Sequence, residues 1–291
     1  MTIEMKRFDV IYSLQSDVRI GYRKIGNLHT TRYYIPGKAV WACCVNQLVN
    51  RFGKTGYPNN QNPYQFWENF LKQQMKFSYL FLMDTTAENN GRKLIPDQDG
   101  IKIIERRFIS STVGTALTAS HQTAEHGSLH ESEWIMAKSK DGTYQVLVSG
   151  FILIDDNDDN DDNNHPDVVI SMDNEQVCLA YLGKTVSFFN DIILNLTVGG
   201  DITSGKGRIK LQQVEEQTGQ TKDHGSLATG HVIWSAHADV EGPIEAVAQR
   251  KWDPENNHPG GISDYYLAWM PGSLIRTDKI HMDYCGRLTL Y

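Results

Sequence analysis

The sequence predicts an α+β fold, and three observations carry the prediction. Two segments in the first quarter of the chain, residues 38–52 and 62–75, space their apolar residues as amphipathic helices do. Short apolar runs bounded by turn residues fill the middle, from about 101 to 154. The two kinds of pattern mix along a chain of 291 residues that has no internal repeat, which is how an α+β domain reads.

Taken in order, "RFDVIYSLQSDVRI" starts as a strand, and a Gly-bearing loop leads on to Tyr34-Ile35-Pro36-Gly37. Trp41, Val45, Leu48 and Phe52 then share one helical face with Val40, Cys44 and Val49 beside it, so Lys38 to Phe52 is predicted helical and Gly53 stops it. A second helix opens with Asn62 as cap and Pro63 in the first turn, and buries Phe66, Trp67, Phe70 and Leu71. "FSYLFLM" (77–83) reads as a buried strand, and "IKIIERRFI", "EWIMA" and "YQVLVSGFILI" as further strands. A third helix is expected over "VSFFNDIILNL" (186–196), ending at Gly199-Gly200, and "GRIKLQQV" resumes as a strand. Beyond about 216 the pattern weakens, so the chain divides into a core of residues 1–216 and a C-terminal extension, 217–291, packed on the core or on a neighbouring subunit. Trp234, Trp252 and Trp269 of that extension read as core or as a subunit interface, core being the commoner fate of such residues.

The net charge of −7 argues at first against a nucleic-acid partner. The seven aspartates of the acidic insertion 155–167, "DDNDDNDDNNHPD", account for all of it. Such a run reads as a solvated surface insertion that folding can do without. Residues 18–54, by contrast, carry Arg19, Arg23, Lys24, Arg32, Lys38, Arg51 and Lys54 and no acid, which favours one basic surface. No apolar stretch is long enough to cross a bilayer and no secretory signal is apparent, so a cytoplasmic protein without a membrane partner is expected. Cys43, Cys44, Cys178 and Cys285 form neither a disulfide framework nor a metal-binding pair, and Cys44 should be buried.

"GGDITSGKGRIKL" (199–211) satisfies the first seven positions of a phosphate loop through Gly200, Gly205 and Lys206, but Gly207 stands where the magnesium-binding hydroxyl belongs. The context is also reversed, a helix leading in and a strand leading out, so nucleotide hydrolysis is not expected. A Gly-rich turn, or a loop laying its amides with Lys206, Arg208 and Lys210 along a phosphodiester backbone, remains. His121, Glu125, His126 and His130 fit no zinc spacing and read as a polar hairpin, and the acidic run lacks the glycine and glutamate of a calcium loop; no metal or other cofactor is expected. His29 is a candidate general base for RNA cleavage, without an identifiable partner.

Three ordered stretches resemble one family. "GNLHTTRYYIPGKAVWACCVNQL" is similar to the entry to the first helix of the RAMP superfamily, RNA-binding proteins of CRISPR systems. "GTALTASHQTAEHGSLHESEWIM" resembles their middle hairpin, and "LTVGGDITSGKGRIKL" their C-terminal glycine-rich loop. Together they span residues 26–211, departing from the pattern where Lys38 replaces a serine and Ala42-Cys43 replaces Gly-Ala. The resemblance implies a ferredoxin-like (RRM-like) β-α-β-β-α-β core that carries loop insertions and holds RNA on one face. Within the superfamily it is most like the subunit that caps the 5′ handle of the crRNA in type III, subtype D-like, effector complexes, a protein that binds and does not cut.

The partners so implied are crRNA, the large subunit and backbone RAMP subunits, and target RNA indirectly, in antiviral defence. RNA-binding candidates are Arg19, Tyr22, Arg23, Lys24, His29, Arg32, Tyr34, Pro36, Gly37 and Lys38 in the basic segment, and Gly199, Gly200, Ser204, Gly205, Lys206, Gly207 and Arg208 in the loop. The interleaved tyrosines, Tyr33 included, suit base stacking, and the start of the first helix suits a phosphate. Two alternatives stay open. One is a backbone subunit on the spacer, whose target-cleaving aspartate has no counterpart between Val18 and Gly37. The other is a crRNA-processing endoribonuclease with His29 as base.

Overall fold

The computed structural model describes residues 5–86, 91–96, 98–118, 123–155, 168–173, 176–217, 228–234, 240–253, 258–277 and 280–290. His121 and nearly all of the acidic insertion lie outside them, as does the side chain of Trp252. The observed fold is α+β, as predicted from the mixed patterns.

The chain begins with β1 (Met5–Leu14), whose Phe8, Val10, Tyr12 and Leu14 alternate into the core. A hairpin of β2 (Gly21–Ile25) and β3 (Leu28–Thr31) follows, then the two-residue β4 (Tyr34–Ile35). Helix α1 (Gly37–Phe52) buries Val40, Trp41, Cys44, Val45, Leu48, Val49 and Phe52 and stops at Gly53, whose φ of 103° suits only glycine. Helix α2 (Pro63–Gln74) is capped by the Asn62 side chain, which accepts from the Tyr64 amide at 2.9 Å. Its buried Trp67 stacks on Phe52 with ring centroids 4.8 Å apart and donates to the Tyr57 hydroxyl at 2.8 Å.

The expected strand at 77–83 is split into β5 (Met75–Phe77) and β6 (Leu80–Asp84). Ser78 breaks the ladder, its amide donating to the Phe151 carbonyl at 3.0 Å and its hydroxyl accepting from the Phe151 amide at 2.7 Å. After β7 (Arg92–Leu94) comes the first correction: "IKIIERRF", expected as a strand, lies in helix α3 (Gln98–Phe108). Ile104 and Phe108, one turn apart, are buried while Lys102, Glu105 and Arg106 are exposed. The helical period outweighed the β-branched isoleucines.

Strands β8 (Ile109–Gly114) and β9 (His130–Ile135) pair antiparallel, and β9 also pairs with β3, giving a four-stranded sheet in the order β2-β3-β9-β8. The long β10 (Leu147–Asp155) precedes a meander of β11 (Val169–Asp173), β12 (Gln176–Tyr181) and β13 (Lys184–Ser187). The predicted third helix is the second correction. Only Phe188–Ile192 forms a helical turn, of π type, before the short β14 (Asn195–Thr197). Pairing of Asn195 with Lys210 pulls the backbone back into the sheet before a helix can extend.

Strand β15 (Arg208–Gln217) completes the main sheet in the order β14-β15-β1-β10-β6-β4, with every pairing antiparallel. Its four central strands, β15-β1-β10-β6, have the 4-1-3-2 order of a ferredoxin-like core. Helices α1 and α2 stand in the first crossover, and the π turn stands where the second helix would be.

The C-terminal part holds β16 (Val232–Ile233), β17 (Val240–Glu241), the long ribbon β18 (Ile244–Asp253) with β19 (His258–Trp269), then β20 (Leu274–Ile275), β21 (Ile280–Met282) and β22 (Leu288–Leu290). It has a small core of its own, Ala228, Val232, Val240, Ile275 and Leu288, with Trp269 against it, while Trp234 is exposed. Its turn at Tyr284–Gly286 packs on the main sheet, the Phe77 amide donating to the Tyr284 carbonyl at 2.9 Å. Cys44 is fully buried, and all four cysteines are free thiols. Among the described residues no helix is long and apolar enough to cross a membrane, which leaves β-barrels aside.

Candidate nucleic-acid interface

The basic segment and the glycine-rich loop meet because the loop's backbone is spliced onto residues 17–20. The Gly200 amide donates to the Arg19 carbonyl and the Gly207 amide to the Asp17 carbonyl, both at 2.8 Å. Gly199 and Gly207 have φ of 84°, and a Cβ on either would sit about 2 Å from a backbone carbonyl: 2.2 Å from that of Arg19 and 2.1 Å from that of Val198. Only glycine fits. The amides of Ser204, Gly205 and Arg208 also donate within the protein, to Asp201, Ile202 and the Ser16 hydroxyl. These amides are therefore spent on the loop's own shape, and the expectation that they would line a phosphate chain gives way to one in which Lys206 and Arg208 make such contacts. A strand leads into the loop and a strand leads out, with only a 3₁₀ turn (Ile202–Ser204) between, so no phosphate-loop helix exists here.

Beside this splice lies a cavity of about 420 Å³. The first turn of α1 forms one wall with Pro36, Lys38 and Ala39, joined by Ile20, Gly21 and Arg32; Gly199 and Gly200 form a second; Val247, Tyr266, Cys285 and Arg287 of the C-terminal part form a third. No carboxylate is among the lining residues, but two of the three cations on the wall are paired from behind, Arg32 with Glu245 at 2.6 Å and Arg287 with Asp283 at 2.5 Å; Lys38 and the positive end of the α1 dipole add to them. Gly37 itself is buried, and a Cβ there would lie 2.1 Å from the Phe77 carbonyl and 2.7 Å from that of Cys285, so the helix start meets the cavity through its neighbours.

Two residues assigned to RNA are instead part of the framework. Tyr34, expected to stack on a base, is 2% exposed and lies against Tyr79 and Phe81. Arg32 donates to Glu245 at 2.6 Å and to the Tyr34 hydroxyl at 2.7 Å. Glu245 also meets His231 Nε2 at 2.5 Å, and His231 Nδ1 lies 2.7 Å from the Tyr79 hydroxyl. Although burial opposes its ionisation, hydrogen bonds from His231 and Arg32 hold the Glu245 carboxyl down to about 2. Burial, chiefly, pushes His231 below its ordinary value. A neutral imidazole follows, with Nε2–H donating to Glu245 and Nδ1 accepting from Tyr79. The basic segment is thereby bolted to β18. Sequence reasoning had no access to this, because Glu245 and His231 are about 200 residues from Arg32 and match no local pattern. Tyr22 is held between Arg23 and Arg32, whose guanidinium carbons lie 4.5 and 4.6 Å from its ring centre.

On the other side of the splice, Arg19 donates to Asp201 at 2.8 Å and its Nη2 lies 3.1 Å from His29 Nδ1. His29 stacks on His130 at 5.6 Å. Burial first, then the Arg19 and Lys24 charges, push His29 below the ordinary histidine range. Its Nδ1 lone pair faces a guanidinium, a poor arrangement for a base that must take a proton from a 2′-hydroxyl. Arg23, Lys24, Ser204, Gly205 and Arg208 are exposed. Trp134, which sequence reasoning passed over as an ordinary strand residue, receives Lys206 over its ring at 3.8 Å. Among the described residues no three potential metal ligands cluster.

Fold and site together define an α+β protein with a ferredoxin-like sheet order and a basic cleft between core and C-terminal strands. No known protein family matches the sequence, and no curated protein does. Among solved structures, the chain is similar to a chain in the cryo-EM structure of the Type III-B Cmr-beta bound to cognate target RNA and AMPPnP, with TM-score 0.49 and 12% identity over 92% of this chain and 85% of that one. It is similar to chains in Type III-B Cmr-beta bound to cognate target RNA (TM-score 0.45, 12% identity, 92% and 86% covered) and in its apo state (0.38, 10%, 71% and 96%). These are loose likenesses of overall shape.

Proposed function

We propose that this chain is a non-catalytic RNA-binding subunit of a type III CRISPR effector complex, capping the 5′ handle of the crRNA and joining it to the large and backbone subunits in the cytoplasm. One observation carries the reading. Two motifs that resemble the RAMP pattern, about 160 residues apart, line a single cavity with Lys38 on its wall and, beside it, Arg32 and Arg287, each paired with a carboxylate from behind. A cavity of about 420 Å³ beside Lys38 and a helix start suits one or two nucleotides of a single strand, held by phosphates. Capping, rather than cutting, is supported by the pairing of His29 Nδ1 with Arg19.

The test is to purify the assembly in which this protein travels, crosslink it, and identify the nucleotides joined to this chain. Contacts confined to the first nucleotides of short repeat-derived RNAs are the expected result. Contacts spread along the spacer would make the chain a backbone subunit, and absence of RNA would overturn the reading.

A further inference from the structure

The four-stranded sheet β2-β3-β9-β8 lies off the main sheet and has one face that the cavity does not use. Strand alternation puts His130, Ser132 and Trp134 on one side of β9, and Glu131, Glu133 and Ile135 on the other. Register extends that first face to Ser110, Thr112 and Gly114 on β8, to His29 on β3 and to Lys24 on β2. The opposite face is acidic: Glu133 accepts from the Thr31 amide and shares a cleft with Glu105. One face of this small sheet therefore gathers an indole, two imidazoles and small hydroxyl residues.

Cations border it. Lys206 and Arg19 lie 3.8 and 5.7 Å from the Trp134 ring centre, and exposed Lys24 and Arg208 flank them. Two carboxylates answer these four charges: Asp201 on Arg19, and Asp17 at 3.3 Å from Lys206. The Trp134 indole nitrogen is anchored by Thr112 at 3.1 Å, which fixes the ring's orientation. Lys206, in contrast, sits between Gly205 and Gly207, both at positive φ, on a loop exposed from 199 to 205. A fixed aromatic ring covered by a long cation whose ion pair is loose is a surface that can exchange one partner for another.

We infer that Trp134, with His29 and His130 beside it, is a stacking platform for bases of single-stranded RNA, and that Lys206 leaves the indole for a phosphate when RNA arrives. The inference rests on the RNA-binding reading above but concerns a different surface from the cavity. The exchange is balanced, because the base replaces the cation–π contact and the phosphate replaces the contact with Asp17. Arg19 and Gly200 join the two surfaces, since they line the splice between sheet and cavity. A strand leaving the cavity past Gly21 would cross this face next.

The experiment uses the full chain and a 12-nucleotide oligoadenylate in filter-binding titrations at several salt concentrations. Trp134→Ala should weaken binding about tenfold or more while leaving the salt slope unchanged, because stacking releases no counterions. Trp134→Phe, which keeps a ring, should stay within about threefold of wild type. Lys206→Met should instead flatten the salt slope by about 0.7, one phosphate contact on a single strand. A readout without mutation guards against a misfolded variant: photocrosslinking of the wild-type complex should attach nucleotide to the tryptic peptide of residues 108–138. Wild-type affinity in a folded Trp134→Ala chain, or adducts only on other peptides, would overturn the platform while the RNA-binding reading stands. No binding of any RNA by the wild-type chain would overturn that reading, and the platform with it.

Discussion

Gly207 shows how one residue fixes the meeting of two distant motifs. Its φ of 84° and a carbonyl 2.1 Å from any added Cβ leave no room for a side chain, and its amide holds Asp17. Gly207→Ala should therefore cost about 3 kcal/mol, from the strained backbone and the displaced Val198. For a chain of this size that lowers the melting temperature by roughly 5–10 °C, which calorimetry would read. Lys38 makes the contrasting case, since it lies on the cavity wall at the start of α1. Lys38→Ala should leave the melting temperature within about 2 °C and weaken RNA binding by about tenfold, with a salt slope shallower by about 0.7. An unchanged affinity would remove the cavity from the RNA path.

Among the elements, β18 and the basic segment depend on each other through Glu245, whose side chain is 4% exposed. Glu245→Gln would leave the Arg32 guanidinium buried without its counter-charge, and a loss of about 3 kcal/mol in urea unfolding is expected. The pH dependence has a definite sign. Glu245 is depressed from 4.5 to about 2, so its contribution is complete above about pH 4.5 and is lost as pH falls towards 2. His231 is held neutral in the folded chain while the unfolded chain takes up a proton near 6.5, so stability also falls on acidification below that pH. Unfolding midpoints should thus decline from pH 7 to 5, and the decline should be smaller in His231→Asn. A midpoint that rises on acidification would show that His231 is charged in the fold.

Across the whole molecule, the ferredoxin-like order is built from segments far apart in sequence: β1 sits between β10 and β15, pairing Phe8 with both Ile152 and Glu216. Helices α1 and α2 were legible because each presents a single apolar stripe, stopped by Gly53 in α1 and opened by Asn62 and Pro63 in α2, and the four central strands of the main sheet because they alternate or are largely apolar, whereas the hairpin of β2 and β3 was read as a loop. Helix α3 was misread because three isoleucines within four residues look like a strand until Ile104 and Phe108, one turn apart, are buried in the same core. The π turn was misread because Phe188, Phe189, Ile192 and Ile193 suit a helix equally well, and only the pairing of β14 with β15 ends it early.

The local chemistry of the site was written in the sequence: the acid-free basic segment, the glycines of the loop, the helix start at Pro36, and the seven aspartates that hide a balanced charge elsewhere. These are properties of neighbours along a chain, and turn geometry and charge density depend on little else. Which of the basic residues face solvent was decided only by the tertiary structure. Arg32 and Tyr34 were drawn into the interior by Glu245 and His231, and Trp134 was brought beneath Lys206, because burial and ion pairing are settled by groups that the chain delivers from 70 to 210 residues away. A buried charge must find its partner wherever the fold supplies it, and no local pattern records that address.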